Sequence, residues 1–329
     1  MSDVVLVTGA CGYIGRHLVF RLLSLGHTVV LVDNFDNSRR ESSLDWISSL
    51  GPNAFFYEGC FGNINLLQEL KADYKFDGVF HLAAKKSIKE SIEKPVDYYV
   101  NNVSATFRLL EIFGACVNSF IFSSTAALYQ AGLSHCFEID PLIPSSPYGN
   151  TKLATEMFLS DYFKASRTSS CIALRYFNPM GWVEAFAGPR EKSTLGFMHR
   201  SLFDALWELR VGDGNEFTIY GWDFPTKDGT AVRDFFHILD LVDGHIAAYN
   251  YCKQNRGFDA FNIGSGRGFS VKEVVDTFKK IVMPRAKVVY GPQREGDLAE
   301  VVADVTKAEK ILGWSANKTL TEIMTDSFC

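Results

Sequence analysis

The sequence predicts an α/β protein built on a doubly wound parallel sheet, followed by a smaller mixed α/β lobe. Three observations carry that expectation. The chain opens on an aliphatic run, Val4-Val5-Leu6-Val7-Thr8, which ends in glycines spaced G-x-x-G-x-x-G and passes into an amphipathic helix at about Tyr13. A second aliphatic run, Thr28-Val29-Val30-Leu31-Val32, closes on Asp33. Short apolar strands then alternate with helical stretches to about residue 175, a rhythm that demands parallel pairing through right-handed crossovers.

Taken in order, the first helix continues its apolar face through Leu18, Leu22, Leu23 and Leu25 and stops at Gly26. Further strands are expected at 54–58, 78–82, 119–123 and 170–174, with helices near 64–71, 96–116 and 148–164. After Arg175 the rhythm breaks. A loop rich in Gly, Pro and charge (188–193) leads to a helix expected near 197–210, and short elements then follow irregularly.

The glycines give the first strand–helix unit a meaning. Gly9, Gly12 and Gly15 permit a tight turn, so that the free amides and positive end of the helix can receive a pyrophosphate. An acid about 20 positions further on, at a strand's carboxyl end, is where the ribose diol of NAD is held. That role falls to Asp33, whose carboxylate would repel the extra phosphate of NADP; Arg39 and Arg40 are the residues that could meet such a phosphate. Residues 1–175 therefore read as a Rossmann-type NAD-binding domain. Residues 176–329 read as a substrate-binding lobe with segments returning to the sheet.

Composition narrows the class. The 329 residues are 22% charged with a formal net charge of −5, and no basic stripe is present for nucleic acid. No apolar run is long enough to span a bilayer, and the amino terminus enters a strand at once, so neither membrane nor signal peptide is expected. Seven scattered cysteines with no C-x-x-C support neither a disulfide frame nor a metal site. Cys11, Cys116 and Cys171 read as small buried hydrophobes. A cytoplasmic protein is expected.

Three strand ends supply the chemistry. The fifth strand ends in Ser123-Ser124-Thr125, and downstream Tyr148 and Lys152 stand one helical turn apart on one face. A phenol ionises near pH 10. An ammonium at i+4 and the positive nicotinamide ring would lower that value and make Tyr148 a general base beside a hydride transfer, with Thr125 sharing the proton. The Tyr-x-x-x-Lys pattern recurs at Tyr249/Lys253, where no hydroxyl-rich strand end precedes it, and reads there as helix surface.

Together these motifs resemble the extended short-chain dehydrogenase/reductase superfamily, and within it the UDP-galactose (UDP-glucose) 4-epimerase family. The likeness extends over essentially the whole chain, through Val32-Asp33-Asn34, His81-Leu82-Ala83-Ala84-Lys85-Lys86, Tyr99-Val100-Asn101-Asn102, Arg175-Tyr176-Phe177-Asn178-Pro179, Asp228-Gly229-Thr230, Val232-Arg233-Asp234 and Arg294-Glu295-Gly296-Asp297. The resemblance implies that Tyr13, Ile14, Asp33, Asn34 and Asn37 line the adenosine and pyrophosphate end of NAD. By the same resemblance Leu82, Ala83, Ala84, Lys86 and Asn101 line the cofactor's middle, with Phe177 by the nicotinamide. Asn178, Arg233, Arg294 and Asp297 would hold a UDP-hexose, with Tyr220 near the uracil; Lys86, Thr125, Tyr148 and Phe197 complete the substrate set. Two arginines suit a diphosphate and a carboxylate suits a ribose diol. The helices expected at 96–116 and 148–164 are long and carry apolar residues on more than one side, which suits either packing against a twin subunit in a homodimer or burial against the sheet.

Three departures from the family pattern stand out. Cys60 replaces an acid near the adenine amine. Leu195-Gly196-Phe197 replaces an Asn-Asn-Leu segment. Val301 replaces a larger residue that gates sugar size, which implies room for an N-acetyl group. The reaction implied is reversible inversion at C4 through a 4-keto sugar. A nucleotide-sugar dehydratase or decarboxylase needs an acid after the Ser/Thr cluster, where this chain has Ala126-Ala127-Leu128. The glycine turn and Asp33 alone would also suit a simple NAD-dependent dehydrogenase or a non-catalytic dinucleotide sensor; retention of Tyr148, Lys152 and the diphosphate ligands speaks against the sensor.

Overall fold

The computed structural model describes residues 2–114, 116–165, 168–190, 201–212, 214–294 and 296–329. Seven parallel strands form the main sheet: β1 (Val4–Thr8), β2 (Thr28–Asp33), β3 (Ala54–Glu58), β4 (Gly78–His81), β5 (Ser119–Thr125), β6 (Ser170–Tyr176) and β7 (Gly257–Ile263). Their spatial order is β7-β6-β5-β4-β1-β2-β3. The chain builds outward from β1 in one direction and then restarts beside it at β4. The crevice at that reversal, beyond the carboxyl ends of β1 and β4, is where such sheets hold ligands.

Both faces of the sheet are covered, so the strands read as continuous apolar runs. Val5 and Val7 enter the core on one face with Leu18, Leu22 and Leu241, whereas Leu6 enters the opposite core with Leu67, Leu109 and Leu159. This is the two-residue alternation of a pleated strand. The seventh strand, from the second half of the chain, pairs with β6 across seven residues. A separate core around Phe203, Leu206, Val274, Phe278, Ile323 and Met324 organises the second lobe, whose small sheets run through Val232–Arg233, Glu300–Ala303 and Glu216–Tyr220.

Several elements differ from the sequence expectation. The segment expected as one helix over 96–116 is a Pro95–Tyr99 helix, a π turn at Val100–Ser104 and an Ala105–Phe113 helix. The wider turn lets Asn102 reach two other elements. The helix expected from 197 begins at Leu202, because Ser201 and Asp204 form a capping box; residues 197–200 lie outside the described residues. Cys116 is exposed rather than buried, because it follows the end of its helix; Cys11 and Cys171 are buried as expected. All seven cysteines are free. Among the described residues there is no cluster of three or more His, Cys, Asp or Glu suited to a metal, and no helix is long and apolar enough to cross a membrane.

Candidate active site

The glycine turn is shaped by close backbone approach. Gly9 has a positive φ of 71°, and a Cβ there would lie 2.7 Å from the amide nitrogen of Ala83. A Cβ on Gly15 would collide with the carbonyl of Gly9. Gly12 ends the turn in an extended conformation with no side-chain cap, which leaves the first amides of the Tyr13–Ser24 helix free for an anion. Together with the carboxyl end of β4 these residues bound an open cleft of about 150 Å³.

Thirteen of the residues expected at the cofactor line that cleft: Gly9, Gly12, Tyr13, Ile14, Gly15, Asp33, Asn34, Asn37, Leu82, Ala83, Ala84, Lys86 and Asn101. Asp33 accepts the Cys11 amide at 2.9 Å and the Phe35 amide at 2.8 Å. Burial raises its pKa, and those two hydrogen bonds oppose the rise. Sequence reading missed Val32, Asp36, Ser38, Gly59, Phe61 and Lys85, which also line the cleft; the adjacency of Lys85 to Lys86 was the available signal. Arg40 is engaged by Glu58 at 2.8 Å. These surroundings fit a dinucleotide: a Cβ-free cradle, unpaired helix amides and a carboxylate oriented by backbone.

Thr125, Tyr148, Lys152 and Phe177 do not line that cleft; they form a group around the ends of β5 and β6. Ser146 accepts the Gly149 amide at 3.2 Å and Pro147 sits in the first turn, so the Pro147–Ala165 helix starts with Tyr148 in its first turn. Asn102 ties this helix to the cleft. Its amide nitrogen donates to Thr151 at 3.1 Å and to the Lys85 carbonyl at 2.9 Å, and Thr151 donates to the Tyr148 carbonyl at 2.7 Å. Thr125 lies opposite Tyr176 in the sheet register and hydrogen-bonds Tyr148.

Lys152 is buried and donates to the Ser123 carbonyl at 2.7 Å, with its ammonium 4.7 Å from the Phe122 ring centre. Burial lowers its pKa to about 7, with Glu156 opposing. The expected lowering of the Tyr148 pKa is not found in the protein alone. Burial pushes it up to about 12, with Thr125 acting the other way. The ammonium donates to a backbone carbonyl, and in the protein alone it does not offset the burial of the phenol.

The second lobe gathers most of the expected substrate residues. Arg233 donates to the carbonyls of Val232 and Leu298, both at 2.8 Å, and faces Asp297 at 3.7 Å. Arg294 lies 4.3 Å from the centre of the Tyr220 ring, and its carbonyl accepts the Asp297 amide. Val301 stands opposite Arg233 in the strand register, and the Asn178 amide bonds the Asp234 carbonyl. Phe177 is buried beside Tyr129. Phe197 and the rest of the Leu195-Gly196-Phe197 departure lie outside the described residues. Cys60 is exposed at the cleft edge between Gly59 and Phe61.

Residues 6–327 match the family model described as GDP-mannose 4,6 dehydratase. The chain is 39% identical over 327 residues to a UDP-glucose 4-epimerase of Erwinia amylovora, covering 98% of this chain and 96% of that protein. It superposes with a TM-score of 0.89 on a UDP-glucose-4-epimerase of Stenotrophomonas maltophila with bound NAD and formylated UDP-arabinopyranose, at 31% identity over 99% and 97% of the two chains. A UDP-Glc/GlcNAc 4-epimerase of Campylobacter jejuni is similar at 33% identity and a TM-score of 0.85, covering 99% and 98%.

Proposed function

The chain belongs to the UDP-glucose 4-epimerase family, and from that premise we infer that it interconverts UDP-glucose and UDP-galactose by reversible inversion at C4. NAD is the cofactor, and when bound it would supply reversible hydride acceptance at C4 of the sugar. The observation that most supports this reading is the Tyr148–Thr125–Lys152 group beside the glycine-floored cleft.

In this reading Tyr148 takes the proton of the 4-hydroxyl and later gives it back. Thr125 shares that proton. The Lys152 ammonium and the positive nicotinamide ring offset the burial that raises the phenol's pKa. Gly9, Gly12 and Gly15, with the first amides of the Tyr13–Ser24 helix, hold the cofactor pyrophosphate, and Asp33 its adenosine ribose. Asn34, Asn37, Leu82, Ala83, Ala84, Lys86 and Asn101 complete that wall, and Phe177 lies by the nicotinamide. Arg233 and Arg294 hold the UDP diphosphate, Tyr220 packs by the uracil, and Asp297 and Asn178 position the ribose and sugar. An anchored diphosphate and a weakly held hexose allow the keto sugar to present either face.

The dehydratase in the family model's description needs an acid after the Ser/Thr cluster. That place is the short turn Ala126–Leu128, whose last residue is buried and apolar, which supports epimerisation. Residues 1–175 serve the cofactor and 176–329 the nucleotide sugar, with β7 returned to the sheet. Val301 supports tolerance of an N-acetylated hexosamine, as does the likeness to an enzyme named for both sugars. Self-pairing is supported by exposed apolar residues Val96, Val100 and Phe107 on the π turn and the helices around it, and Met157 on the Tyr148 helix. Seven free thiols support a cytoplasmic location.

The test is incubation of the purified protein with UDP-galactose and no added reductant. UDP-glucose should accumulate to equilibrium. Stoichiometric NADH, or a 4-keto-6-deoxy sugar, would contradict the reading. Turnover of UDP-N-acetylglucosamine tests the Val301 inference separately; none, alongside full activity on the hexoses, would refute it.

A further inference from the structure

Below the reacting phenol lies a buried charge cluster that the reaction as described does not use. Glu156 stands one helical turn beyond Lys152 and two beyond Tyr148. Arg175, on β6, meets its carboxylate with two nitrogens, Nε to Oε1 at 3.1 Å and Nη2 to Oε2 at 2.8 Å. The Ser124 hydroxyl donates to the same Oε1. Ser124, Lys152, Glu156 and Arg175 are all at least 95% buried. Arg175 is itself pinned by Tyr129 and by the Glu138 carbonyl, each at 3.1 Å.

A surface ion pair would need no explanation, but a buried one costs more desolvation than its attraction returns unless every partner is satisfied. Here the cluster touches both halves of the reacting group. Ser124 is the residue before Thr125, so the carboxylate fixes the strand end that carries the Thr125 hydroxyl. Glu156 is also the charged group that acts on the Lys152 ammonium.

We propose that Glu156 is a positioning residue for the reaction: clamped by Arg175, it fixes the Ser124–Thr125 strand end and supplies the counter-charge for Lys152. The inference rests on the epimerase reading above. Among the described residues, the titratable groups on the elements packed around Lys152 are few. Its own helix offers Tyr148 and Glu156, and β6 offers Arg175 and Tyr176. On β4, His81 is held neutral by burial, its pKa lowered to about 3. The 88–93 and 95–99 helices turn Glu90 and Tyr98 to each other at 3.0 Å, and Asp259 on β7 is taken by Lys307. Strand β5 and the π turn carry no titratable side chain. With Glu156 in place the cluster of Lys152, Arg175 and Glu156 carries one net positive charge when Lys152 is protonated. Without it, two buried cations lose the carboxylate that both interact with.

The sign of the pH effect follows. Activity that needs the Lys152 ammonium falls as pH rises through its pKa. Removing a nearby anion lowers that pKa, and removing a nearby cation raises it. The test is the pH profile of kcat/KM for UDP-galactose, measured on the NAD-loaded enzyme. Glu156→Gln should move the alkaline limb to lower pH by about one unit. Arg175→Met, which leaves the carboxylate for Lys152 alone, should move it to higher pH. Ser124→Ala touches no charge and should lower kcat several-fold with the limb in place.

A purely structural pair would destabilise both charge variants and shift neither limb, or shift both the same way; either result overturns the proposal. A moved limb in Ser124→Ala would also overturn it. Should Glu156→Gln fail to fold, Glu156→Asp keeps a carboxylate at greater distance and should give a smaller shift of the same sign; no shift would refute the role. A wild-type enzyme without epimerisation would instead sink the functional reading beneath it.

Discussion

Tyr148 and Lys152 stand one turn apart on the Pro147–Ala165 helix; Tyr249 and Lys253 stand one turn apart on the Ile238–Gln254 helix. The spacing is identical and the surroundings are opposite. At the first pair the ammonium is buried against the Ser123 carbonyl, and the phenol meets the Thr125 hydroxyl. At the second, Asp3 takes both groups: the Tyr249 hydroxyl donates to its carboxylate at 3.1 Å and Lys253 forms an ion pair with it. Burial raises the Tyr249 pKa, and the carboxylate at the phenol opposes its ionisation further. The pattern brings a phenol and an ammonium to one face; the neighbouring charge decides whether they do chemistry or fasten the chain. Tyr249 is therefore not the helix surface that the sequence suggested. It is buried, and it staples the start of β1 to a distant helix.

The contrast can be broken most sharply at the phenols. Tyr148→Phe should lower kcat by about 10²–10⁴-fold, the range for loss of a general acid–base group, with bound cofactor and melting temperature little changed. Tyr249→Phe should leave kcat within about twofold and remove about 1 kcal/mol of stability, the worth of one hydrogen bond. Equal losses of activity would erase the distinction. The lysines come next. Lys152→Met should reduce kcat and abolish the alkaline limb, because its charge is what that limb reports. Lys253→Met should leave the profile in place.

The smallest effect concerns Asp3. Its carboxyl is partly buried, which alone would raise its pKa, but Lys253 and Tyr249 hold it below its ordinary value. The stability it contributes is present at neutral pH and is lost as pH falls through the carboxylate range. Asp3→Asn should therefore cost up to about 1 kcal/mol at pH 7, as expected of a partly exposed pair. In urea melts the gap from wild type should narrow toward pH 3. A gap that is constant with pH would mean that packing, not charge, makes the staple.

The parts of this molecule that sequence could read are those written in backbone chemistry. The glycine turn, the aliphatic strands and Asp33 lie within thirty-odd residues of one another, and local sterics dictate their geometry. Cofactor residues from Gly9 to Asn101 accordingly fall on one cleft. The π turn was invisible, because apolar periodicity does not register one extra residue; the adjacent pair Asn101-Asn102 was the only trace. The burial of Tyr249 had a faint sign in Gly78, at the start of β4, where a Cβ would strike the tyrosine ring. The second lobe was least legible. Arg233 and Tyr220 sit on separate short strands and Arg294 and Asp297 on a loop between two others, and no local pattern encodes their meeting. Spacing gives Tyr148 its neighbour at i+4 but not its burial, which is what raises its pKa in the protein alone.

The central claim is that one carbon is oxidised and then reduced within a single closed site, with the phenol moving only the hydroxyl proton. It is tested most directly with UDP-galactose carrying deuterium at C4, converted in ordinary water and examined by NMR. The account predicts UDP-glucose with the deuterium still on C4 and none released to solvent. Loss of the label to water, or its accumulation on free NADH, would contradict it.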